Sequence, residues 1–228
     1  VELVRKIISR DGKVEHHGDY YDLPLEGDGT TGLGKPLKLI DQPFRSEIPI
    51  YLAAVGLKNV ELTAEIAEGW LPFMYSPIKG EDIYKESLNN GFKKSGDSDK
   101  KNKFEIVTTV FGRVCEEDEI DQYLYPARNI YTLYVGGMGA KSKNFYYNLF
   151  CEYGYEDIAD ELQNLYLSGN KKESEELFPK ELLNELTLVG TKKDIEKKLE
   201  TWKESNITEI SLSLPIDFET VKFIKELL

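Results

Sequence analysis

The sequence predicts an α/β fold with a parallel sheet, and three observations predict it. Four runs of strand length stand along the chain, at residues 48–55, 70–74, 104–114 and 207–215. Stretches of helical periodicity separate each run from the next, and strands alternating with helices pair in parallel through crossovers. Glycines mark the junctions, most clearly Gly56 and Gly69.

Taken in order, Leu3, Val4, Ile7 and Ile8 fall at helical spacing with no capping residue ahead of them, which reads as the end of a helix begun upstream. Asp11-Gly12 and His17-Gly18-Asp19 bracket a small hairpin, with residues 20–25 as its second arm. His16 and His17 are adjacent, so they point in different directions; they read as a solvated turn, not as metal ligands. A Gly-rich loop fills residues 27–36. The run Ile48-Pro49-Ile50-Tyr51-Leu52-Ala53-Ala54-Val55 reads as a buried strand, its proline near the start, where a missing N–H is tolerated. Gly56 ends it. Leu57, Val60, Ala64 and Ala67 then stripe a helix that stops at Gly69, and Trp70-Leu71-Pro72-Phe73-Met74 forms the next strand, completing a compact βαβ unit.

A helix over 82–92 and a polar loop over 93–103 lead to residues 104–114, the strongest β-propensity run in the chain. Helical patterns fill 117–186, broken at Tyr134-Val135-Gly136-Gly137-Met138-Gly139-Ala140. Thr191 with Asp194 resembles a capping box opening a helix striped by Ile195, Leu199 and Trp202. Ile207 to Pro215 is the last strand, and Phe218, Val221, Ile224 and Leu228 stripe a closing helix.

Composition narrows the function. The 228 residues hold 29 Lys plus Arg against 41 Asp plus Glu, so the formal charge is 29 − 41 = −12, and a phosphate backbone would be repelled. With 40% hydrophobic and 11% aromatic residues the chain can bury a core, which argues against disorder. The longest apolar run, residues 48–57, is about half of the roughly 20 residues a membrane span requires, and no secretory signal is present. Cys115 and Cys151 have no metal-ligand spacing, and the protein reads as cytoplasmic, one large domain or two small ones, with no nucleic-acid, membrane or metal partner.

Ligands of parallel α/β folds gather beyond the carboxyl ends of the strands, where helix N-termini point free N–H groups at the site. That places Ala54, Val55, Gly56, Leu57 and Lys58 at the mouth: small residues admit an anion to the backbone amides, and Lys58 adds a full charge. The competing reading is that Ala and Gly here serve only strand-to-helix packing. Phe73 and Met74, ending the second strand, face the same mouth and suit a flat ring, against the commoner reading of an apolar strand end as core; Thr108 and Arg113 on the third strand suit an anionic substrate, against the commoner reading of a strand-end Arg as a surface salt-bridge partner. Gly136 to Asn144, with Lys141 and Lys143, reads either as a lid contacting an anion or as a plain linker. No Ser/His/Asp or Cys/His triad and no Walker P-loop can be assembled, so catalytic residues stay unassigned.

Four blocks then carry a resemblance: Gly32-Leu33-Gly34-Lys35-Pro36-Leu37-Lys38, Ile48 to Gly56, Glu65-Ile66-Ala67-Glu68-Gly69-Trp70-Leu71-Pro72 and Tyr134-Val135-Gly136-Gly137-Met138-Gly139. Together, in this order, they resemble the luciferase-like monooxygenase superfamily, and most closely its F420-dependent oxidoreductases. The resemblance implies a partial TIM (β/α)8 barrel, roughly strands five to eight with extra helices, lacking the N-terminal strands, and a single domain over 1–228 with a small-molecule substrate. It implies the deazaflavin coenzyme F420 at the barrel's carboxyl end, exchanging a hydride with an organic substrate. The family's phosphate cradle matches Ala54, Val55, Gly56 and Leu57, and its ring-side contacts match Phe73 and Met74. The polar residues the family uses near the reacting ring come mostly from early strands, outside this chain. An FMN-dependent monooxygenase of the same superfamily is the near alternative, and a non-catalytic binding or assembly subunit the more distant one. Relatives commonly dimerise, which implies a homodimer at full length; residues 1–228 alone are expected to be inactive and, through open strand edges, prone to associate.

Overall fold

A computed structural model describes residues 1–140, 143–213 and 216–227 of the protein. They divide into two compact units, Val1–Ile50 and Tyr51–Leu228. In the first, helix α1 (Glu2–Ser9) buries none of its residues. The hairpin pairs β1 (His16–His17) antiparallel to β2 (Asp22–Leu23). Its turn lies one step later than the sequence suggests, with the Gly18 N–H donating to the Tyr21 carbonyl, so the two histidines sit in a strand and His17 bonds Asp22. Val14 is buried and bridges Leu37. The loop beyond carries Gly27, Gly29, Gly32 and Gly34 at positive φ, which accounts for its composition.

The second unit is the α/β body. Along the chain it runs β3 (Tyr51–Leu52), α2 (Leu57–Ile66), β4 (Gly69–Trp70), α3 (Gly80–Lys94), α4 (Lys100–Lys103), β5 (Glu105–Val114), α5 (Ile120–Gly137), α6 (Phe145–Phe150), α7 (Glu156–Leu167), α8 (Lys171–Glu176), α9 (Lys180–Glu185), β6 (Leu188–Gly190), α10 (Lys192–Glu204), β7 (Glu209–Ser213) and α11 (Phe218–Leu227). Every pairing within its sheet is parallel. β3 pairs β4, and the long β5 is the hub: it meets β4 through residues 105–106, β7 through 107–111 and β6 through 112–114.

Packing follows the periodicities. α2 turns Val60, Thr63 and Ala64 inward, and β5 alternates, with Ile106, Thr108 and Val110 buried and Thr109 exposed. On the other face Thr109 and its register partner Ser211 are exposed, while Phe111 further along is buried against Tyr131. The opposite face is covered by helices and aromatic side chains, with Trp70, Tyr75 and Tyr84 packed edge-on or stacked in one cluster. α10 starts on the expected box: Thr191 Oγ1 accepts from the Asp194 N–H, and Asp194 Oδ2 accepts from the Thr191 N–H.

Four expectations need correction. The ladders at Tyr51–Leu52 and Gly69–Trp70 are shorter than the apolar runs that announce them. Leu188–Gly190 is a strand of three buried residues, too short for a pattern of period two to show. The polar loop contains the helical turn at Lys100–Lys103. Finally, α5 runs on through Gly136 and Gly137, because the Tyr166 ring lies against both and leaves no room for a Cβ. Lys141, Pro215 and Leu228, named above in the loop, the last strand and the closing helix, lie outside the described residues.

Candidate functional site

The βαβ unit delivers one helix N-terminus to the surface without a cap. Gly56 stands at the N-cap of α2 with ordinary extended geometry, φ −67° and ψ 135°, so its role is space and not backbone conformation. A Cβ there would lie 2.8 Å from Cε1 and 3.1 Å from Cδ1 of Phe145. The Gly56 carbonyl accepts from the N–H groups of Asn59 and Val60, at 2.9 and 3.0 Å. No side chain caps the turn, no acidic residue lies in its first four positions, and the first amides, at Leu57 and Lys58, are the free donors of that end. The strand end is fixed from below: Trp70 Nε1–H donates to the Ala54 carbonyl at 2.8 Å, and that indole is completely buried.

This turn opens on a cleft of about 870 Å³. Val55, Gly56, Leu57, Lys58 and Asn59 form one wall, Asp82, Ile83 and Tyr84 at the start of α3 a second, and Phe145, Asn148 and Leu149 of α6 a third, with Cys151 and Glu152 beyond. The lining is mainly apolar near the turn. Lys58 is its one cation among the described residues, set against Asp82 and Glu152. Burial pushes the Tyr84 hydroxyl and the Cys151 thiol above their ordinary values, so neither adds negative charge near neutral pH.

α6 is held in place by Asn144, which is 2% exposed. Its Oδ1 accepts from the N–H groups of Tyr146 and Tyr147 at 2.9 and 3.1 Å, an N-cap, while its Nδ2 donates to the carbonyls of Tyr134 and Val135 at 2.9 and 2.8 Å. One amide therefore satisfies the orphan ends of α5 and α6 together and sets Phe145, 56% exposed, over Gly56.

Of the residues singled out in the sequence, Val55, Gly56, Leu57 and Lys58 meet in this cleft, and Ala54 lies directly behind them through its carbonyl. The rest lie elsewhere. Phe73 is partly buried in an aromatic cluster, its ring centroid 4.7 Å from Tyr134, 5.6 Å from Tyr131 and 6.2 Å from Tyr146. Met74 is 1% exposed, at φ 58°, and its carbonyl accepts from the Tyr153 hydroxyl at 2.6 Å. Thr108 is equally buried, its hydroxyl donating to the Pro72 carbonyl at 3.2 Å; it belongs to the helix-covered face of β5. Arg113 pairs with Asp217 at 2.6 Å and stacks on Tyr123 with 4.7 Å from the guanidinium carbon to the ring centre, while its buried Nε has no hydrogen-bond partner among the described residues. Sequence reading missed Asp82, Tyr84, Phe145 and Asn148. The Asn ahead of Phe145-Tyr146-Tyr147 was an available N-cap signal for α6. Among the described residues no three metal-ligating side chains converge, and no helix is long and apolar enough to cross a membrane.

A parallel α/β sheet with an uncapped helix N-terminus at the carboxyl end of its first strand defines a fold class that binds anionic ligands at that rim. The chain belongs to the luciferase-like monooxygenase family, whose sequence profile matches residues 1–209. It is 39% identical over 208 residues to a Mycobacterium tuberculosis protein named as a coenzyme F420-dependent oxidoreductase, a match covering 91% of this chain and 59% of that protein. It is 22% identical over 178 residues to the 5,10-methylenetetrahydromethanopterin reductase of Archaeoglobus fulgidus, covering 78% of this chain and 52% of the relative. In structure it resembles the coenzyme F420-dependent tetrahydromethanopterin reductase of Methanopyrus kandleri, with TM-score 0.72 and 17% identity, over 100% of this chain and 60% of that one. It also resembles an F420-dependent secondary alcohol dehydrogenase in complex with an F420-acetone adduct, with TM-score 0.67 and 17% identity, over 100% of this chain and 58% of that one. The protein thus spans roughly half to three fifths of the relatives it matches, and its fold is that of part of their barrel.

Proposed function

We propose that the protein is the cofactor-holding part of an F420-dependent oxidoreductase, and that the turn from Val55 to Lys58 holds the anionic tail of the deazaflavin. The carrying observation is the uncapped first turn of α2, with no acid in it and Lys58 beside it, opening on a cleft large enough for a cofactor tail. The residues fit such a group. Gly56 adds no side chain of its own and gives its open side to the Phe145 ring, the Leu57 and Lys58 amides offer donors, and the helix end contributes a partial positive charge. When bound, F420 supplies the hydride chemistry with an organic substrate.

The chain's own residues position and exclude. Trp70 locks the strand end through the Ala54 carbonyl, Phe145 and Leu149 shield one wall from water, and Lys58 gives a charge-assisted bond to an anion. Phe73, with Tyr134 and Tyr146 packed on it, backs the ring end of the site in this reading, while Met74 contributes through its backbone turn. In this reading Arg113, at the carboxyl end of β5 and paired with Asp217, is the charge offered to an anionic substrate, and the buried Thr108 supports the strand through its bond to the Pro72 carbonyl. The exposed pair at Thr109 and Ser211 supports a further reading: strands outside residues 1–228 cover it, and catalytic groups come from them. A cytoplasmic, homodimeric full-length enzyme remains part of the proposal. FMN in place of F420 is the second reading, favoured by the family name itself.

Titration with F420 and, separately, with FMN tests the assignment, read by cofactor fluorescence. Saturable F420 binding with weaker FMN binding is expected. Binding of neither overturns the proposal, and tighter FMN binding replaces it with the second reading.

A further inference from the structure

We propose that Lys198 is a site of covalent acylation, taking small uncharged acyl thioesters into a second cleft that is separate from the cofactor cradle. This cleft, about 730 Å³, lies between α9, α10, the segment after β4 and the segment after β5, and shares no lining residue with the first. Lys198 projects into it from α10, with Nζ donating to the Val189 carbonyl at 2.8 Å. That bond fixes the direction of the amine.

Three features suit an acyl donor. Pro77, Ile78, Ile120 and Val189 give the lining an apolar share on which an acyl chain can lie. Trp202, one helical turn beyond Lys198 on the same face, is 3% exposed, lines the cleft, and its buried Nε1–H has no acceptor among the described residues. A buried donor without an acceptor is costly, and a ligand carbonyl oxygen would relieve it. The rim carries Glu117, Asp121, Glu181, Glu185 and Asp194 against Lys180, Lys197 and Lys198, and Lys180 is already paired with Asp121 at 2.8 Å. This excess of carboxylates disfavours polyanionic donors and selects uncharged ones.

Burial brings the amine down to about 8, opposed by the Asp194 carboxylate on its own helix and the Cys115 thiol at the end of β5. About a tenth of Lys198 is therefore free base at pH 7, against well under a thousandth of an exposed lysine. In the reaction the Nζ lone pair attacks the thioester carbonyl carbon, the C–S bond breaks, the departing thiolate takes the proton lost from nitrogen, and an amide and a free thiol result.

The test is to incubate the wild-type protein with S-butyryl-N-acetylcysteamine between pH 7 and 10 and to map butyryl-lysine by peptide mass spectrometry. Lys197, exposed on the next position of the same helix, is the internal reference. At pH 8 about half of Lys198 is free base, against roughly 0.4% of an ordinary lysine, an advantage partly offset by lower basicity, so Lys198 is expected to react at least about tenfold faster than Lys197. Its rate should level off above a midpoint near pH 8 while the Lys197 rate keeps climbing. Modification of Lys198 no faster than Lys197, or a rate still rising in parallel with Lys197 to pH 10, overturns the proposal.

Discussion

Replacing Gly91 by alanine tests how the cradle is aimed. Gly91 is a buried residue of α3 facing α2, where a Cβ would meet the Ala64 Cβ at 2.6 Å and the Glu65 nitrogen at 3.0 Å, with the Glu61 carbonyl oxygen closer still. Carbon atoms in contact sit about 3.5–4.0 Å apart, so the helices must separate by about 1 Å, and two of the three obstacles are backbone and cannot rotate away. Alanine gains about 1 kcal/mol in helix propensity over glycine. Overpacking a rigid contact costs about 1–3 kcal/mol and sometimes more, and here it loosens the whole α2–α3 contact. Because backbone obstacles cannot move aside, the upper part of that range applies, about 2–3 kcal/mol, and the balance is a loss of about 1–2 kcal/mol, against the gain that propensity alone would give. Urea unfolding followed by circular dichroism measures it, as a lower midpoint at unchanged slope. A variant as stable as the parent, or more stable, would refute the close approach and with it the placement of the α2 N-terminus.

Two further perturbations address the site's supports and the second cleft. Asn144→Ala removes an N-cap and leaves the Tyr134 and Val135 carbonyls without their donor, which should cost about 2–4 kcal/mol by urea unfolding; a change below half a kilocalorie would deny Asn144 its double role. Lys198 has its folded value lowered to about 8, so its charged form is penalised in the fold below that pH and the penalty vanishes as pH passes the unfolded value near 10.4. Parent stability should therefore rise relative to Lys198→Met between about pH 8 and 10.5, by about 1–3 kcal/mol after allowing for partial exposure; a flat difference in melting temperature across that range would contradict it.

Much of the fold was legible because its signals are local and repeated. The βαβ unit at 48–74 announces itself through an apolar run, a glycine and a helical stripe, and β5 through ten residues of high β propensity. β6 was not legible, since three residues hold no period and only the long-range pairing with Gly112, Arg113 and Val114 makes them a strand. The glycines at 136 and 137 look like a break but serve the approach of Tyr166, a contact 29 residues away that no window of sequence contains. Half of the candidate site divides the same way. The turn at Val55–Lys58 could be read from strand-end logic, whereas Asp82, Tyr84 and Phe145 reach the cleft only because α3 and α6 fold back beside α2. Thr108 shows the limit of strand reading: its alternation was visible, but the face that would be covered by helices was not.

The claim on which the function rests is that the Gly56–Lys58 turn grips an anionic tail, and Lys58→Ala measures it most directly, because the Lys58 side chain is exposed and lines the cleft. Affinity for F420 should fall about 2- to 5-fold, the worth of one solvent-exposed ion pair, while affinity for the tail-less deazaflavin headgroup stays the same. Equal loss for both ligands, or no loss for either, would contradict the account.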